Sequence, residues 1–556
     1  MKNYSKVPIK VQKKSGFDKS FQNLFTSKVG TITPILVDEL IPNSTVHLKA
    51  AITASLPPLA SDTFMRCKLK YAAFFVPTRL IMPGFEKWLT NNTGDNQIYV
   101  PQMAFPANIL NSSTQSDQNI RRTLLGPGSL ADYLGFKILQ SEINANVQTG
   151  EAGYTTDIRL NALPFLAYHK IYNDWFRNSL VQQDIYDEDA TIGSYTPSSS
   201  NYITPTSENG YELGFNATDV STVFRDGVSP WELRQANFGY DIYTTASPQA
   251  QNGKAQAVTM TTIEGSQGFT ISALRAANSM QQFLERNNLA GNRLVDFVKA
   301  QYGANLSDSI AQRPILLGKG DFDVYSKGIY QTTLNNSDGT YDSNNPFTSV
   351  GARYGSAYAD GTDSLVENFT AAEPGYLMVL AWLSPKVTYS TGVDPILSRY
   401  LNNSTSDMAN PILQNVGNEP IYASQISMYP IYQGIHGSSD KVFGYVERYG
   451  NWKDKQDEVH GILRDTSSLQ SFALQRSFRK DVDPKITTQF LQIPTTYLDQ
   501  VAAVSSDIST YGYWCDTFFD YKVSMPLAEY SVPSLQDPAY EHGVDVTIDK
   551  NGKSLS

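Results

Sequence analysis

The stretch RCKLKYAAFFVP, Arg66 to Pro77, decides the fold. Cys67, Leu69 and Tyr71 alternate with charged residues, and the second half of the stretch is apolar on both sides. Alternation with a period of two is typical of a β-strand with one buried and one solvent-facing side. Pro77 lacks the amide hydrogen that a ladder needs, so it ends the run. The stretch therefore predicts a central strand of a large β-sandwich.

Further stretches continue this pattern at both ends of the chain. Thr45–Ala54 and Tyr511–Met525 alternate apolar with polar residues, and Tyr376–Tyr389 is apolar on both sides. Shorter runs in the last third also indicate strands: Ile421–Tyr429, Lys441–Val446, Phe472–Phe478 and Ile486–Ile493. Because strands flank a middle of helices and loops, the chain is predicted to be mainly β, an antiparallel jelly-roll β-sandwich with very large, partly helical loop insertions.

The length of the chain leaves a second arrangement open. Single cores stop growing at roughly 250–300 residues, and this chain has 556. We expect a basic arm over residues 1–20 and one domain over 21–556; two domains with separate cores are the competing arrangement. The single domain would carry a loop (90–128), a helical and loop insertion (129–320) and a polar loop (321–372).

The middle of the chain holds the predicted helices. One short turn is expected at Phe85–Leu89, and a Ser-x-x-Asp capping box at Ser129 opens another. Asn161–Asn178 is predicted to be a helix whose broad apolar face must dock on a sheet or a second helix. An exposed acidic insertion is expected over 181–235, because 181–225 hold seven acids, one arginine and no lysine.

A long helix and a shorter one are predicted just before residue 304. Ser272 is expected to cap the long helix, and Gly291 to break it. The residues expected on its inner side are Leu274, Ala277, Met280, Gln281 and Leu284.

Composition bounds the function. Charged residues make up 18% of the chain and tyrosines number 33, which suits extensive protein–protein contact but equally a loop-rich β protein. The net charge of −10 argues against a protein that coats nucleic acid with its whole surface. Two cysteines rule out a disulfide framework and fit a reducing compartment. We find no signal peptide and no apolar run long enough to span a membrane.

The first twenty residues are the exception to the acidic balance, with six lysines and one acid. They are predicted to form an arm without a core of its own. One interpretation is an arm that lies on a polyanion or on a neighbouring subunit; the other is a solvated tail. The candidate nucleic-acid-facing residues are Lys2, Lys6, Lys10, Lys13 and Lys14.

Residues that could carry chemistry are sparse. The five histidines are scattered without metal-ligand spacing, and we find no nucleophile elbow or phosphate-binding glycine loop. Asp321-x-Asp323 lacks the further oxygen ligands of a calcium loop. In residues 441–464 aromatic residues interleave with balanced acids and bases, which favours a packed loop or subunit contact over a nucleic-acid platform. We expect no catalysis, cofactor or metal site.

Blocks in a fixed order resemble one family, the major capsid proteins of the Microviridae, in particular the gokushovirus-like branch of these small icosahedral single-stranded DNA phages. The blocks are FDKSFQNLFTSKVGTITPILVDELIPNSTV (17–46), FFVPTRL (74–80), LPFLAYHKIYNDWFRN (163–178), LRAANSMQQFLERNNLAGNRLVDFVKAQYG (274–303), EPGYLMVLAWLSPKVTYSTGVD (373–394) and FGYVERYGNWKDKQDEVHGILR (443–464). The resemblance implies an eight-stranded jelly roll of the viral capsid type and a T=1 shell of identical subunits.

The same resemblance implies partners and a location. Packaged single-stranded DNA would lie against the inner surface, with a small basic internal DNA-binding protein and a minor pilot protein as further partners. A host receptor would be met through exposed loops, with no membrane involved. The subunit would assemble in the bacterial cytoplasm and reside in the virion.

This sequence departs from the family in two places. About a dozen residues separate 241–258 from Ser272, where the family has a large insertion that forms a threefold protrusion. That protrusion is therefore missing or built elsewhere, from 181–235. Ile41-Pro42-Asn43 stands where the family often has Pro-Gly.

The function expected is a structural virion protein whose large loops become ordered against neighbouring copies. The alternative is a secreted or surface β-sandwich that binds glycans, to which tyrosine, tryptophan and asparagine are suited. A β-sandwich glycosidase is a third interpretation.

Overall fold

The computed structural model describes nineteen segments of the chain. They are residues 6–12, 14–82, 84–90, 100–105, 115–138, 158–186, 202–204, 212–214, 229–253, 261–263, 266–268, 270–330, 353–400, 408–429, 441–464, 469–478, 483–504, 512–528 and 543–549.

Strands in these segments are numbered in chain order. They are β1 Lys6–Gln12, β2 Ser15–Asp18, β3 Phe21–Ser27, β4 Thr33–Leu40, β5 Thr45–Ser55, β6 Cys67–Pro77, β7 Gln102–Phe105, β8 Ile158–Asn161, β9 Tyr202–Thr204, β10 Glu212–Gly214, β11 Thr261–Ile263, β12 Ser266–Gly268, β13 Ile315–Tyr330, β14 Arg353–Thr370, β15 Gly375–Pro385, β16 Glu419–Tyr422, β17 Val442–Val446, β18 Tyr513–Met525 and β19 Gly543–Asp549.

Helices are fewer than strands among the described residues. They are α1 Phe85–Leu89, α2 Gln115–Leu125, α3 Leu130–Tyr133, α4 Leu163–Ile171, α5 Ile271–Ala290, α6 Leu294–Tyr302, α7 Pro395–Ser398, α8 Gly450–Lys453 and α9 Thr488–Leu491. A π-turn over Tyr172–Phe176 continues α4, and 3₁₀ turns occur at Thr78–Leu80, Pro411–Val416, Ala423–Gln425, Gly461–Arg464, Gln470–Phe472 and Tyr497–Val501. Within the described segments, no helix has the length and apolar character that a membrane crossing requires.

A curled antiparallel sheet of nine strands forms the body. Its order is β2-β18-β5-β14-β13-β6-β15-β4, and β3 also pairs with β18. Two consecutive early segments thus share one late strand: Ser15–Asp18 pairs with residues 522–525 and Phe21–Ser27 with residues 513–519. The sheet therefore has eight positions, and the two ends of the chain meet in it.

Strand β6 lies in the middle of one half of this sheet, between β13 and β15. Cys67, Leu69 and Tyr71 are buried, Lys68 is exposed, and everything from Tyr71 to Pro77 is buried. The change from alternating to complete burial falls where the sequence predicts it. The prediction that this stretch is a central strand is confirmed.

Two long strands curl the sheet into two layers. The first half of β13 pairs with β6 and its second half with β14, whose later residues pair with β5. The layers then face each other. Phe75 packs on Phe369 with ring centroids 5.1 Å apart, and the Tyr71 hydroxyl donates a 2.9 Å hydrogen bond to Asp363 Oδ2. Between β18 and β4, the Tyr521 hydroxyl donates a 2.6 Å hydrogen bond to Asp38 Oδ2.

The prediction of a polar loop over 321–372 is wrong, because most of these residues are β13 and β14. Their many Gly, Ser and Asp residues gave no strand signal, yet the glycines let the layers approach. A Cβ on Gly318 would lie 1.9 Å from the Leu365 carbonyl oxygen, and one on Gly361 would lie 2.2 Å from the Phe322 ring. Such distances exclude any side chain.

The helix predicted over Asn161–Asn178 is present as α4 and its π-turn, and its apolar face docks on the sheet. Trp175 packs on Phe74 at 5.7 Å between ring centroids, and Phe176 meets Trp382 edge-on at 4.9 Å. Residues of the helix join one buried cluster that runs from Phe25 to Val523. In the described part of the chain nearly all buried apolar residues thus belong to one core.

Several boundaries need correction. Residues 90–128 are not all loop, since β7 and α2 lie there. The last third is mostly irregular: Phe472–Phe478 is not a strand, Ile486–Ile493 contains α9, and the strand at Ile421–Tyr429 ends at Tyr422. Backbone hydrogen bonds close several of its turns, such as that from the Phe472 amide to the Leu469 carbonyl oxygen, and side chains add others, such as that from the Ser427 hydroxyl to the Phe478 carbonyl oxygen.

The exposed insertion over 181–235 is shorter than predicted. Ile185 and Trp231, near its two ends, are buried. The predicted exposure does not extend to these ends, and most of 187–228 lies outside the described residues.

Candidate assembly interface

The five arm lysines occupy different situations. Lys2 and Lys13 lie outside the described residues, and Lys6 and Lys10 are positions of β1. The Lys14 side chain is exposed and donates a 3.1 Å hydrogen bond to the Thr45 hydroxyl. The structure therefore gives a side-chain position for one of the five candidates.

The two chain ends pair with each other, which the sequence did not indicate. Strand β1 forms an antiparallel ladder with β19, in which Lys6 lies opposite Asp549 and Lys10 opposite Asp545. The basic arm thus has acidic positions in register beside it.

The Asp321-x-Asp323 pair faces a lysine. Lys68 on the neighbouring strand forms an ion pair with Asp321, and its Nζ lies 3.7 Å from Asp323 Oδ1. The hydrogen bond to Asp321 raises the pKa of the Lys68 ammonium. Across the described residues no group of three His, Cys, Asp or Glu side chains could hold a metal ion.

His169 is buried on α4 and has a structural role. Its Nε2 lies 2.8 Å from the Pro230 carbonyl oxygen, and Arg234 Nε donates a 3.2 Å hydrogen bond to Nδ1. This arrangement requires a neutral ring that carries its proton on Nε2. Burial and the charge of Arg234 hold the pKa of His169 well below its usual value. Through these two hydrogen bonds, the His169 ring connects α4 to the segment Pro230–Arg234, which contains Trp231.

Sequence reasoning missed the residue that organises the irregular last third. Arg476 is buried, and its guanidinium lies over Phe490 at 4.2 Å, Phe238 at 4.5 Å and Phe478 at 5.0 Å. Its Nη2 donates a 2.7 Å hydrogen bond to the Phe490 carbonyl oxygen. A single arginine in the otherwise uncharged run SFALQRSF was the available signal.

The aromatic and charged stretch 441–464 is partly packed and partly exposed. Trp452 is half exposed, and the Arg399 guanidinium stacks on its ring at 4.1 Å. Lys453 pairs with Glu447 at 3.0 Å. Acids and bases neutralise each other here, which agrees with a packed loop or a subunit contact.

The predicted inner side of α5 is only half correct. Ala277, Gln281 and Leu284 are half-buried, but Leu274 and Met280 are 46% and 47% exposed. The cap also lies two residues earlier than predicted: the Thr270 hydroxyl, rather than that of Ser272, accepts a 3.1 Å hydrogen bond from the Ala273 amide. A long, well-capped helix therefore presents apolar side chains to solvent.

The chain matches one known protein family over most of its length. The model of the family described as "Capsid protein (F protein)" matches residues 5–123 and 142–535. The chain belongs to this capsid-protein family.

Curated relatives agree over nearly the full length. The capsid protein VP1 of Bdellovibrio phage phiMH2K is 25% identical over 565 residues, covering 96% of this chain and 97% of the relative. That of Chlamydia phage 1 is 25% identical over 641 residues, covering 96% and 98%. That of Spiroplasma virus 4 is 23% identical over 548 residues, covering 91% and 93%. The predicted resemblance to Microviridae capsid proteins is confirmed.

Family membership makes the chain a phage capsid protein that resides in the virion. The Chlamydia phage 1 alignment is longer than this 556-residue chain. Some of its positions therefore have no counterpart here. Exposed apolar surface on a capsid protein is an expected property, because such proteins assemble.

Proposed function

We propose that this chain is the major capsid protein of a small single-stranded DNA phage and that identical copies close into a T=1 icosahedral shell. The family match over both ends and the middle of the chain carries the proposal. We assign the curled sheet to an eight-stranded jelly roll, since β2 and β3 share one of eight positions. The role is structural and involves no catalysis.

Assembly would complete the packing that the single subunit leaves unfinished. Obligate interfaces bury roughly 2,000 Å² or more in total, and exposed apolar side chains on the loops supply such area. Contacts between different surfaces of neighbouring copies return on themselves in a closed shell, so they do not grow into fibres.

Assembly is tested by expression of the chain alone. We expect fast-sedimenting particles that appear as shells by negative-stain electron microscopy. A stable monomer that binds polysaccharide in a glycan array would instead support the alternative, a surface β-sandwich that binds glycans.

Packaged DNA is the second proposed partner, and the basic arm is its proposed contact. Lys6 and Lys10 have Asp549 and Asp545 in register, so the remaining lysines should carry more of the interaction. Lys2, Lys13 and Lys14 changed together to Gln should lower the salt concentration at which particles release DNA, since fewer phosphate charges are neutralised. The matched control changes Lys6 and Lys10 to Gln. Unchanged salt sensitivity of the triple variant would contradict the arm's role.

The acidic insertion 181–235 is proposed to face outward, where it can meet a host receptor and avoids phosphate repulsion. An epitope tag inserted near residue 208 should bind antibody on intact particles. Antibody binding only after particles are disrupted would contradict the outward placement. A small basic internal protein and a pilot protein are further proposed partners, and mass spectrometry of purified virions tests for them.

A further inference from the structure

The segment 229–238 joins separate parts of the subunit. The Ala236 amide donates a 2.7 Å hydrogen bond to the Gly30 carbonyl oxygen, ahead of β4. The Phe238 amide donates one of 2.9 Å to the Leu491 carbonyl oxygen, at the end of α9. A further neighbour of the segment is α4, and the contact with α4 passes through a histidine. Whatever loosens that contact therefore loosens a junction between distant stretches of the chain.

His169 of α4 uses both of its ring nitrogens in this contact. Nε2 donates a 2.8 Å hydrogen bond to the Pro230 carbonyl oxygen, and Nδ1 accepts one of 3.2 Å from Arg234 Nε. Arg234 Nη2 also donates a 2.6 Å hydrogen bond to the Ser229 carbonyl oxygen. An imidazolium carries a proton on both nitrogens and has no acceptor. A second proton on the ring would therefore break the bond from Arg234 and place two positive charges side by side.

The surroundings do not neutralise such a charge. The ring is fully buried, and the side-chain charge that acts on it is that of Arg234. Lys170, the next residue of α4, pairs with Asp174 at 3.1 Å, so that carboxylate already has a cation. Glu232 on the segment is exposed to solvent. The titratable groups around the ring and Arg234 are neutral tyrosines, in which burial raises the pKa: Tyr168, Tyr172 and Tyr186.

We propose that His169 is an acid-sensitive latch, whose protonation releases segment 229–238 from α4. In the closed subunit the ring stays neutral. In the opened subunit it meets water and takes up a proton with the ordinary pKa of histidine, about 6.5. The opened form is therefore favoured below that pH, by up to about tenfold for each pH unit. The inference goes beyond the proposed function, because the latch works within one subunit.

Hydrogen exchange of the full-length, unassembled chain between pH 7.5 and 5 tests the latch. Each rate is divided by the chemical exchange rate of an unstructured amide at the same pH, which gives an opening constant. For amides of 229–238 this constant should be roughly fivefold higher at pH 5.5 than at pH 6.5. An opening constant that does not change with pH would overturn the inference.

The strand Cys67–Pro77, in the middle of the sheet, shows whether the opening is local. Its amides should exchange more slowly than those of 229–238 at every pH, because they need the subunit to unfold. Equal opening constants in the two segments would show that 229–238 opens only when the whole subunit unfolds. That result would also overturn the latch.

A His169→Gln variant separates the latch from other titrations. The glutamine amide can donate and accept a hydrogen bond but takes up no proton in this range. The opening constant of 229–238 should then change by less than about twofold between pH 6.5 and 5.5. A fivefold rise that persists in the variant would assign the effect to a different residue and contradict the proposal.

An introduced thiol gives a second measurement that leaves His169 in place. Ser229→Cys and Ser427→Cys each change a buried serine, and the second is the matched control outside the latch. The native cysteines are buried, so the unsubstituted chain gives the background rate with dithiodipyridine. Relative to the same thiol in denatured chain, labelling at Ser229→Cys should rise roughly fivefold from pH 6.5 to 5.5. An equal rise at Ser427→Cys would contradict a local latch.

Discussion

Helices α4 and α5 differ in how they meet the body, although both sequences show an apolar face. In α4 the residues Phe165, Leu166 and Tyr168 are buried in the common core. In α5, Leu274 and Met280 remain about half exposed. Hydrophobic periodicity therefore tells us that a face needs a cover, but not which molecule supplies it.

The two attachments also differ in chemistry. Aromatic packing on Phe74 and Trp382 fixes the end of α4, whereas amide and guanidinium hydrogen bonds fix α5. Apolar burial contributes roughly 1.5–3 kcal/mol per large side chain. A hydrogen bond exchanged with water contributes about 1 kcal/mol net. The body should consequently tolerate changes in α5 that it cannot tolerate in α4.

The largest expected effect comes from matched leucines in the two helices. Leu166→Ala should lower the free energy of unfolding of unassembled protein by about 2–5 kcal/mol, because it leaves a cavity in the core. Leu274→Ala should change it by less than about 0.5 kcal/mol, as at other exposed positions. Chemical denaturation of both variants measures the difference. Similar losses would mean that α5 is packed as tightly as α4.

A smaller effect is expected where the two layers are tied by tyrosine. Tyr71→Phe removes the hydrogen bond to Asp363 and leaves a carboxylate between the layers with one donor fewer, at a cost of about 1–3 kcal/mol. Tyr325→Phe, at an exposed position of β13, is the control and should be neutral. A neutral Tyr71→Phe variant would show that the layers are held by apolar packing alone.

The smallest expected effect is a dependence on pH within α4. The pKa of His169 is depressed in the folded state by burial and by Arg234. The unfolded chain therefore binds more protons than the folded chain below pH ~6.5. The free energy of unfolding should decrease as the pH is lowered, by at most about 1.4 kcal/mol per pH unit. Thermal melts of unassembled protein between pH 7.5 and 5.5 measure the slope.

A His169→Gln variant separates this slope from that of other groups. Burial raises the pKa of Asp174, Asp241 and Glu419, and carboxyls of this kind gain stability as pH falls, which is the opposite sign. The variant should lose the decrease between pH 6.5 and 5.5, whatever its absolute stability. An unchanged slope would assign the dependence to a different residue.

Local sequence was sufficient to predict elements whose burial follows a regular period along the chain or whose ends are marked by turn residues. Cys67–Pro77, Tyr513–Met525 and Phe85–Leu89 follow from alternation, spacing and turn residues. The family could also be recognised from the sequence, because blocks similar to it occur in the same order along the chain, and the family model matches most of the chain.

Sequence was insufficient where a distant partner determines the conformation. The strands Ile315–Tyr330 and Arg353–Thr370 read as loop because glycine, serine and aspartate carry little strand propensity. They are strands because their backbones pair with Cys67–Pro77, with each other and with Thr45–Ser55, and the missing side chains at Gly318 and Gly361 leave room for the facing layer. The pairing of Lys10 with Asp545 joins opposite ends of the chain, and no local pattern encodes such a register.

Hydrogen exchange in unassembled protein tests most directly the claim that α4 belongs to the core of the subunit and that α5 lies outside it. Amides of Leu163–Ile171 should exchange slowly, because most side chains of this helix are buried. Amides of Ile271–Ala290 should exchange faster, because Asn288 is the buried residue of that helix. Protection of both helices to the same degree would contradict the account.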